Sequence, residues 1–440
     1  MTTREQAITI FETAVAAVHP KHLLKQYISS DAVTINIGNR NFLKEAIGRL
    51  IVIAAGKAAA AMAQEAEHLL GEHISYGLCI TKHGHALNLN HLTIIEAGHP
   101  IPDGESVKAA MHLRQMIEDA ESSDIILLLL SGGASSLIAD LPGGCTLADI
   151  QGLNKLLVNS GASINEINTV RKHTGNLKGG KLAELAAPAQ VITMAISDVP
   201  GDDVSVIASG LTVPDQTNYA SAIGVLKKYE LLEQVPASIR THLEKGLTGE
   251  IAENPGKGNI CFTGSLYYII ASNALVLKVA KQTAESQGYH TSIYKSDFTG
   301  NAITDSRLLI QQFKDYRGIT PACILIGGEP TLAVNGKGIG GRCQHFVLNA
   351  WHEIIRGGGA DLRHELTLLA CGTDGTDGPT DAAGAIADLQ TLDITNKLHL
   401  KANEYLENFD SYSFFKQTGG LIITGPTQTN AGDIIILLVN

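Results

Sequence analysis

The sequence predicts an α/β fold of two domains built on parallel sheets. Short, wholly apolar runs such as 125–130 ("IILLLL") alternate with amphipathic stretches of helical period, the pattern of strands joined by crossover helices. These runs lack a polar alternate face, so both sides of each strand are covered, as in parallel sheets. A chain of 440 residues exceeds what one core usually organises, and 44% hydrophobic against 18% charged residues is a folded composition.

In chain order, strands are expected at 50–55, 77–81, 93–97, 125–130 and 190–196, each rich in Val, Ile or Leu and bounded by polar or glycine residues. Helices are expected between them at 57–70, 105–120 and 164–174. From 213 to 258 proline, glycine and charge loosen the pattern, and the domain boundary is placed at 249–258 ("GEIAENPGKG"), giving domains 1–250 and 259–440. The second half resumes with strands at 268–271, 291–294, 323–326, 331–334, 366–370 and 434–439. Helices at 273–287, 301–316 and 342–355 lie among them.

The formal net charge of −11 argues against a nucleic-acid surface, where a basic stripe is expected. The six cysteines are scattered without C-x-x-C pairs, as reduced thiols of a cytoplasmic protein are. The first eighteen residues carry an early acid and an amphipathic period, unlike a signal peptide, and no apolar run is long enough for a bilayer. The expectation is a soluble cytoplasmic protein acting on a small molecule, with no membrane or nucleic-acid partner and with a homodimer allowed.

Unusual polar clusters follow the expected strands at their carboxyl ends, where ligands bind in open α/β sheets. "SGGASS" places Ser131, Gly132, Gly133 and Ser135 between a strand and a helix start; its amides suit an anion, and Ser135 or Ser136 suits a helix cap. Lys57 in "AAGKAA" stands at a helix start, where a cation makes sense if an anion lies between it and the helix dipole. "SDVPGDD" carries Asp198, Asp202 and Asp203, and "CGTDGTDGPTD" carries Asp374, Asp377 and Asp381. Such hard oxygens on glycine-rich loops suit Mg²⁺ with substrate phosphates, and equally suit Asx turns.

"NGKGIGGRCQHF" (335–346) satisfies the dinucleotide pattern G-x-G-x-x-G at Gly336, Gly338 and Gly341. The acid required about twenty residues on is poorly placed at Asp361, in a loop before the next strand. Lys337 and Arg342 instead bring cations to a glycine loop, as phosphoryl transfer requires. No H-E-x-x-H or G-x-S-x-G occurs, so zinc-peptidase and serine-hydrolase chemistry lack support. His99 and His173 lie in polar loops, where a structural hydrogen bond is expected of each and a base role remains the alternative.

Taken together, "GKAAAAMA", "EAGHPIPDGES", "LSGGASSL", "INTVRKHTGNLKGGKLAEL", "SDVPGDD", "IGGEPTL", "GIGGRCQHFVL" and "GTDGTDGPTDAAGA" resemble the glycerate 2-kinases with a MOFRL-type C-terminal domain, members of which also carry the name hydroxypyruvate reductase. The resemblance runs from about Ala7 to Ile435. It implies an N-terminal Rossmann-like domain, a smaller C-terminal α/β domain and a site in the cleft between them. It implies transfer of the ATP γ-phosphoryl group to the 2-hydroxyl of D-glycerate with Mg²⁺, and essential roles for Lys57 and Arg342. Beside it, Ser131, Gly132, Gly133, Ser135, Gly340 and Gly341 are expected to donate to the nucleotide. Asp198 and Asp374 are expected at the metal or substrate hydroxyl, with Asp198 also the candidate base. An NAD(P)H-dependent hydroxypyruvate reductase, or a kinase of another small hydroxy or sugar acid, is the alternative. Cys343, His345, Leu211, Gly175 and Gln428 depart from the usual family residues.

Overall fold

The computed structural model describes residues 1–313, 316–356 and 364–440. The chain forms two compact units, one of Pro20–Ile196 with Asp202–Ile270, the other of Met1–His19, Ser197–Gly201 and Ala271–Asn440.

The first unit holds a six-stranded sheet in the order Leu92–Ala97, Tyr76–Lys82, Leu50–Ala55, Ile125–Leu130, Gln190–Ile196, Leu266–Ala271. The first five strands are parallel, and Leu50–Ala55 and Ile125–Leu130 are buried along their whole length. Numbered in chain order the strands run 3-2-1-4-5-6, the doubly wound order that opens a crevice between strands 1 and 4. The α/β expectation therefore holds, down to the Rossmann-like sheet.

The loosened stretch after 213 is not a linker. It contains helices Tyr219–Lys228 and Ala237–Leu247, whose Tyr219, Leu226 and Leu243 pack with Leu153, Leu157 and Val170. Pro236 precedes the second helix and Gly249 follows it, so these residues punctuate helices rather than domains. The 1–250/259–440 division differs accordingly: 249–258 lies inside the first unit. A small antiparallel sheet of Ile28–Ser30, Thr34–Ile37 and Arg40–Leu43 also goes unread in the sequence.

The second unit holds a mixed sheet in the order His290–Phe298, Ala322–Gly328, Asp433–Val439, Leu366–Gly372, Gly384–Ala387, Leu421–Ile422. Only its first pair is parallel. Helix Thr3–Ala17 belongs here, and the polar side chains of its first turn are bound here. Arg4 forks onto Asp388 at 2.6 and 2.7 Å, and the Tyr289 hydroxyl donates to Gln6 Oε1 at 2.7 Å. Helices Ala302–Phe313 and Arg342–Arg356 bury Phe346, Trp351 and Ile310 against the sheet. The strand expected at 331–334 does not form: Thr331 makes one isolated bridge with Asn301 and the chain then loops to Arg342. Part of the expected helix 301–316, and Asp361, lie outside the described residues.

Candidate functional site

Lys57 and the 131–136 loop leave adjacent strands at the switch point of the doubly wound sheet. Their backbones are stitched together: Lys57 N–H donates to Gly132 O at 2.9 Å, and Ala58 N–H to Ser131 Oγ at 2.9 Å. Ser131 is fully buried, so its hydroxyl caps the turn that presents Lys57. Gly56, at φ +129°, lies so close to Ser131 that any Cβ would overlap it. Gly133, at φ +92°, opens the single helical turn Ala134–Leu137; a Cβ there would press on His99 and lie 3.5 Å from Lys57 Cγ. Neither Ser135 nor Ser136 caps that turn, contrary to expectation. Ser136 Oγ donates to Gly133 O, while Ser135 Oγ meets Ser209 Oγ at 2.8 Å. The loops 56–58, 98–103 and 131–136 thus converge around a partly buried Lys57.

In the other unit, one end of the mixed sheet gathers the acids. Asp433 starts its strand in register with Gly328 on one side and Gly372 on the other. A methyl group at Gly372 would lie 3.3 Å from the Asp433 carboxylate and 3.2 Å from that of Asp374. Arg342, first residue of its helix, gives Nε and Nη2 to Asp433 at 2.6 and 2.9 Å and Nη1 to Glu329 at 2.7 Å. Those two anions hold the guanidinium pKa well above its usual value despite burial. Asp198 accepts from Asn430 Nδ2 at 2.8 Å, and Asp374 accepts Thr376 N–H at 2.9 Å in an Asx turn. Asp377 is buried and accepts the amides of Cys343 and Gln344 at 3.0 and 2.8 Å, capping the Arg342 helix from a distant loop. Burial pushes its carboxyl up to about 6.

The glycines of 336–341 serve packing. Gly336 and Gly338 press on the carbonyl of Asn408, Gly340 on Ser411 and Gly341 on Asp377, leaving no room for a Cβ. The loop amides are taken as well: Gly338 N–H donates to Asn408 O, Lys337 N–H to Asn408 Oδ1 and Ile339 N–H to Asp410 Oδ1. The side chain of Lys337 is exposed. With no strand leading in and its first amides occupied, this loop lacks the make-up of a pyrophosphate cradle.

Glu329, Asn430 and Asp433 were not singled out as site residues, and Asp377, named among the hard-oxygen candidates, is spent on capping the Arg342 helix. Asp433 had a readable signal, an acid immediately before the wholly apolar run "IIILLV". The pairing of Glu329 with Arg342 depends on tertiary register and had none.

Family models match most of the chain: a domain of unknown function, DUF4147, over residues 6–244 and the MOFRL family over 322–433. A glycerate 2-kinase of Pyrococcus horikoshii is 36% identical, covering 100% of this chain and 98% of its own. The crystal structure of a glycerate kinase from Thermotoga maritima superposes with a TM-score of 0.81 at 36% identity, covering 99% of each chain. A protein of Agrobacterium vitis named as a hydroxypyruvate reductase is also 36% identical, over 98% of this chain and 93% of its own.

The chain belongs to the glycerate 2-kinase family.

The residues read as departures from the usual family pattern are placed as follows. Cys343 is fully buried. His345 is buried too, stacked on Phe409 at 5.0 Å, and desolvation drops its pKa to about 4, so it is neutral near pH 7. A side chain at Gly175 would crowd the Asp140 carboxylate. Leu211 is buried. Gln428 adopts φ +60° where glycine is usual in the family. His173 Nδ1–H donates to Thr169 O at 2.8 Å, inside a buried network with Asn254 and Asp215, a structural place.

Proposed function

We propose that the protein transfers the γ-phosphoryl group of ATP to the 2-hydroxyl of D-glycerate, giving 2-phosphoglycerate. The observation that carries this reading is Lys57 at the switch point of a 3-2-1-4-5-6 sheet, in a chain whose full-length relatives are named glycerate kinases. Phosphoryl transfer asks a protein chiefly for positioning and for neutralising spread charge. Arg342 meets the second need: Asp433 and Glu329 fix its plane, and two of its five N–H groups remain without a partner among the described residues. Lys57 binds the substrate carboxylate or the transferring phosphoryl group.

The hard-oxygen donors Asp198 and Asp374 fit Mg²⁺, which uses one or two carboxylates and completes its shell with phosphates and water. No group of three or more His, Cys, Asp or Glu among the described residues makes a metal cage. When bound, Mg²⁺ supplies charge neutralisation on the phosphates. Asp198, oriented by Asn430, is the group proposed to take the hydroxyl proton. The amides of Gly132, Gly133, Gly340 and Gly341 and the hydroxyl of Ser135 are proposed nucleotide contacts.

The hydroxypyruvate reductase reading draws on the names of relatives such as that from A. vitis. Against it stand the occupied amides of 337–339. No described helix is long and apolar enough to cross a membrane, and we place the protein in the cytoplasm, with a homodimer as its assembly, to be read from its mass in solution. An ADP-release assay over D-glycerate, L-glycerate, glycolate and D-lactate, with the product's phosphorus position read by NMR, tests the main reading. Turnover with D-glycerate supports it. Absence of ADP release, with saturable binding of NADH, overturns it in favour of the reductase.

A further inference from the structure

Arg171 lies in the first unit, on helix Ile164–Lys172, and lines a pocket with Pro100, Ser135, Ser136, Leu153 and Asn154. It is partly buried, and its Nε donates to the neutral Asn154 Oδ1 at 2.8 Å. Among the described residues no carboxylate pairs with it. The neighbouring cations are accounted for. Lys178, on the same pocket, is ion-paired with Asp140, and Lys172 lies 3.4 Å from Asp215. Lys181 donates to the carbonyls of Lys172 and Gly175. Desolvation pulls the Arg171 guanidinium below its usual pKa, the mark of a cation removed from water without compensation. A cation so placed is costly unless an anion joins it.

We propose that Arg171 is the anchor for the carboxylate of the acceptor acid. Among the described residues neither Nη group has a hydrogen-bond partner, and their parallel N–H bonds match the two oxygens of a carboxylate. Among the residues that line the pocket, Arg171 and Lys178 against Asp140 leave one net positive charge, which matches a monoanion better than a phosphate dianion. The free space beside Arg171, about 30 Å³, is on the scale of a carboxylate head group, with Pro100 and Leu153 as apolar walls next to it. Ser135 and Ser136 set the pocket on the loop whose Gly133 abuts Lys57. Lys57 is then left for the transferring phosphoryl group. This assignment rests on the kinase reading above.

The test is a comparison of wild type with Arg171→Gln and Asn154→Asp. The second variant keeps an acceptor for Nε but adds a counter-charge that neutralises the pocket. Both should raise KM for D-glycerate at least tenfold and leave KM for ATP within twofold, which also reports an intact fold. Glyceramide, which lacks the carboxylate, should be handled equally by wild type and Arg171→Gln. An unchanged KM for D-glycerate in Arg171→Gln overturns the proposal. Should wild type release no ADP with D-glycerate, the kinase reading fails by itself. Titration of wild type and Arg171→Gln with D-glycerate by calorimetry then decides the pocket: binding lost in the variant upholds a carboxylate site, and equal or absent binding in both removes it.

Discussion

Asp433 takes the guanidinium of Arg342 side-on, with both oxygens engaged at 2.6 and 2.9 Å. The acid is 2% exposed and fixed between two strands, so it acts as a jig for the cation. Arg342→Ala should lower kcat by about 10³-fold, the scale for losing a charge-stabilising arginine. Asp433→Asn keeps the arginine but frees its plane, and kcat should fall roughly 10²-fold, the scale of misplacement in a reacting site. Steady-state kinetics check both; near-normal turnover in Arg342→Ala removes its role.

Lys57→Met should lower kcat/KM by about 10²–10³-fold, as loss of one preorganised donor does. The cross-link to the 131–136 loop runs through the backbone amide of Lys57. The substitution leaves that cross-link in place, and an unchanged kcat/KM in steady-state kinetics removes the catalytic role of the side chain.

The raised carboxyl of Asp377 makes a signed prediction. Its folded value, about 6, lies above the 3.8 of an unperturbed aspartate, so between these pH values the folded state holds more protons than the unfolded state. The stability this group contributes is fullest below about pH 4 and is lost as pH rises through 6. Asp377→Asn removes the titration. The stability difference, wild type minus variant, should shrink by about 2 kcal/mol between about pH 4.5 and 7. Urea unfolding at the two pH values measures it, and a flat difference contradicts the burial argument.

Gln428 holds a left-handed conformation at φ +60°. Replacing it with glycine removes a steric cost of about 1–2 kcal/mol, part of which returns as chain entropy. A net gain of about 1 kcal/mol in the urea midpoint analysis is expected. Destabilisation would mean that the Gln428 side chain contributes contacts that outweigh its backbone strain.

Much of the first unit was legible because its strands are buried on both faces and its crossovers are helical. The runs 50–55 and 125–130 coincide with observed strands, and the loops after them hold Lys57 and Ser131. The 331–334 run misled because Thr331 and Val334 carry strand propensity yet are exposed, and only Thr331 makes a bridge among the described residues. The 213–258 segment misled in the opposite sense, since Pro and Gly at helix ends look like linker residues. At the candidate site, residue types were readable and partners were not. Nothing local couples Arg342 to Asp433, Asp377 to the amides of Cys343 and Gln344, or Arg171 to an empty charge balance.

Helix Thr3–Ala17 and strand Asp433–Val439 pack in the same unit, with Thr429 Oγ1 donating to Val18 O at 2.8 Å to close the seam between them. Synthesis runs the other way round from this pairing: the helix leaves the ribosome long before its strand exists. Its apolar face, with Ile10, Phe11 and Ala14, must stay unburied while the whole first unit is made. Closure of the second unit therefore spans nearly the length of the chain, a contact order that slows folding and leaves the nascent helix as a target for chaperones.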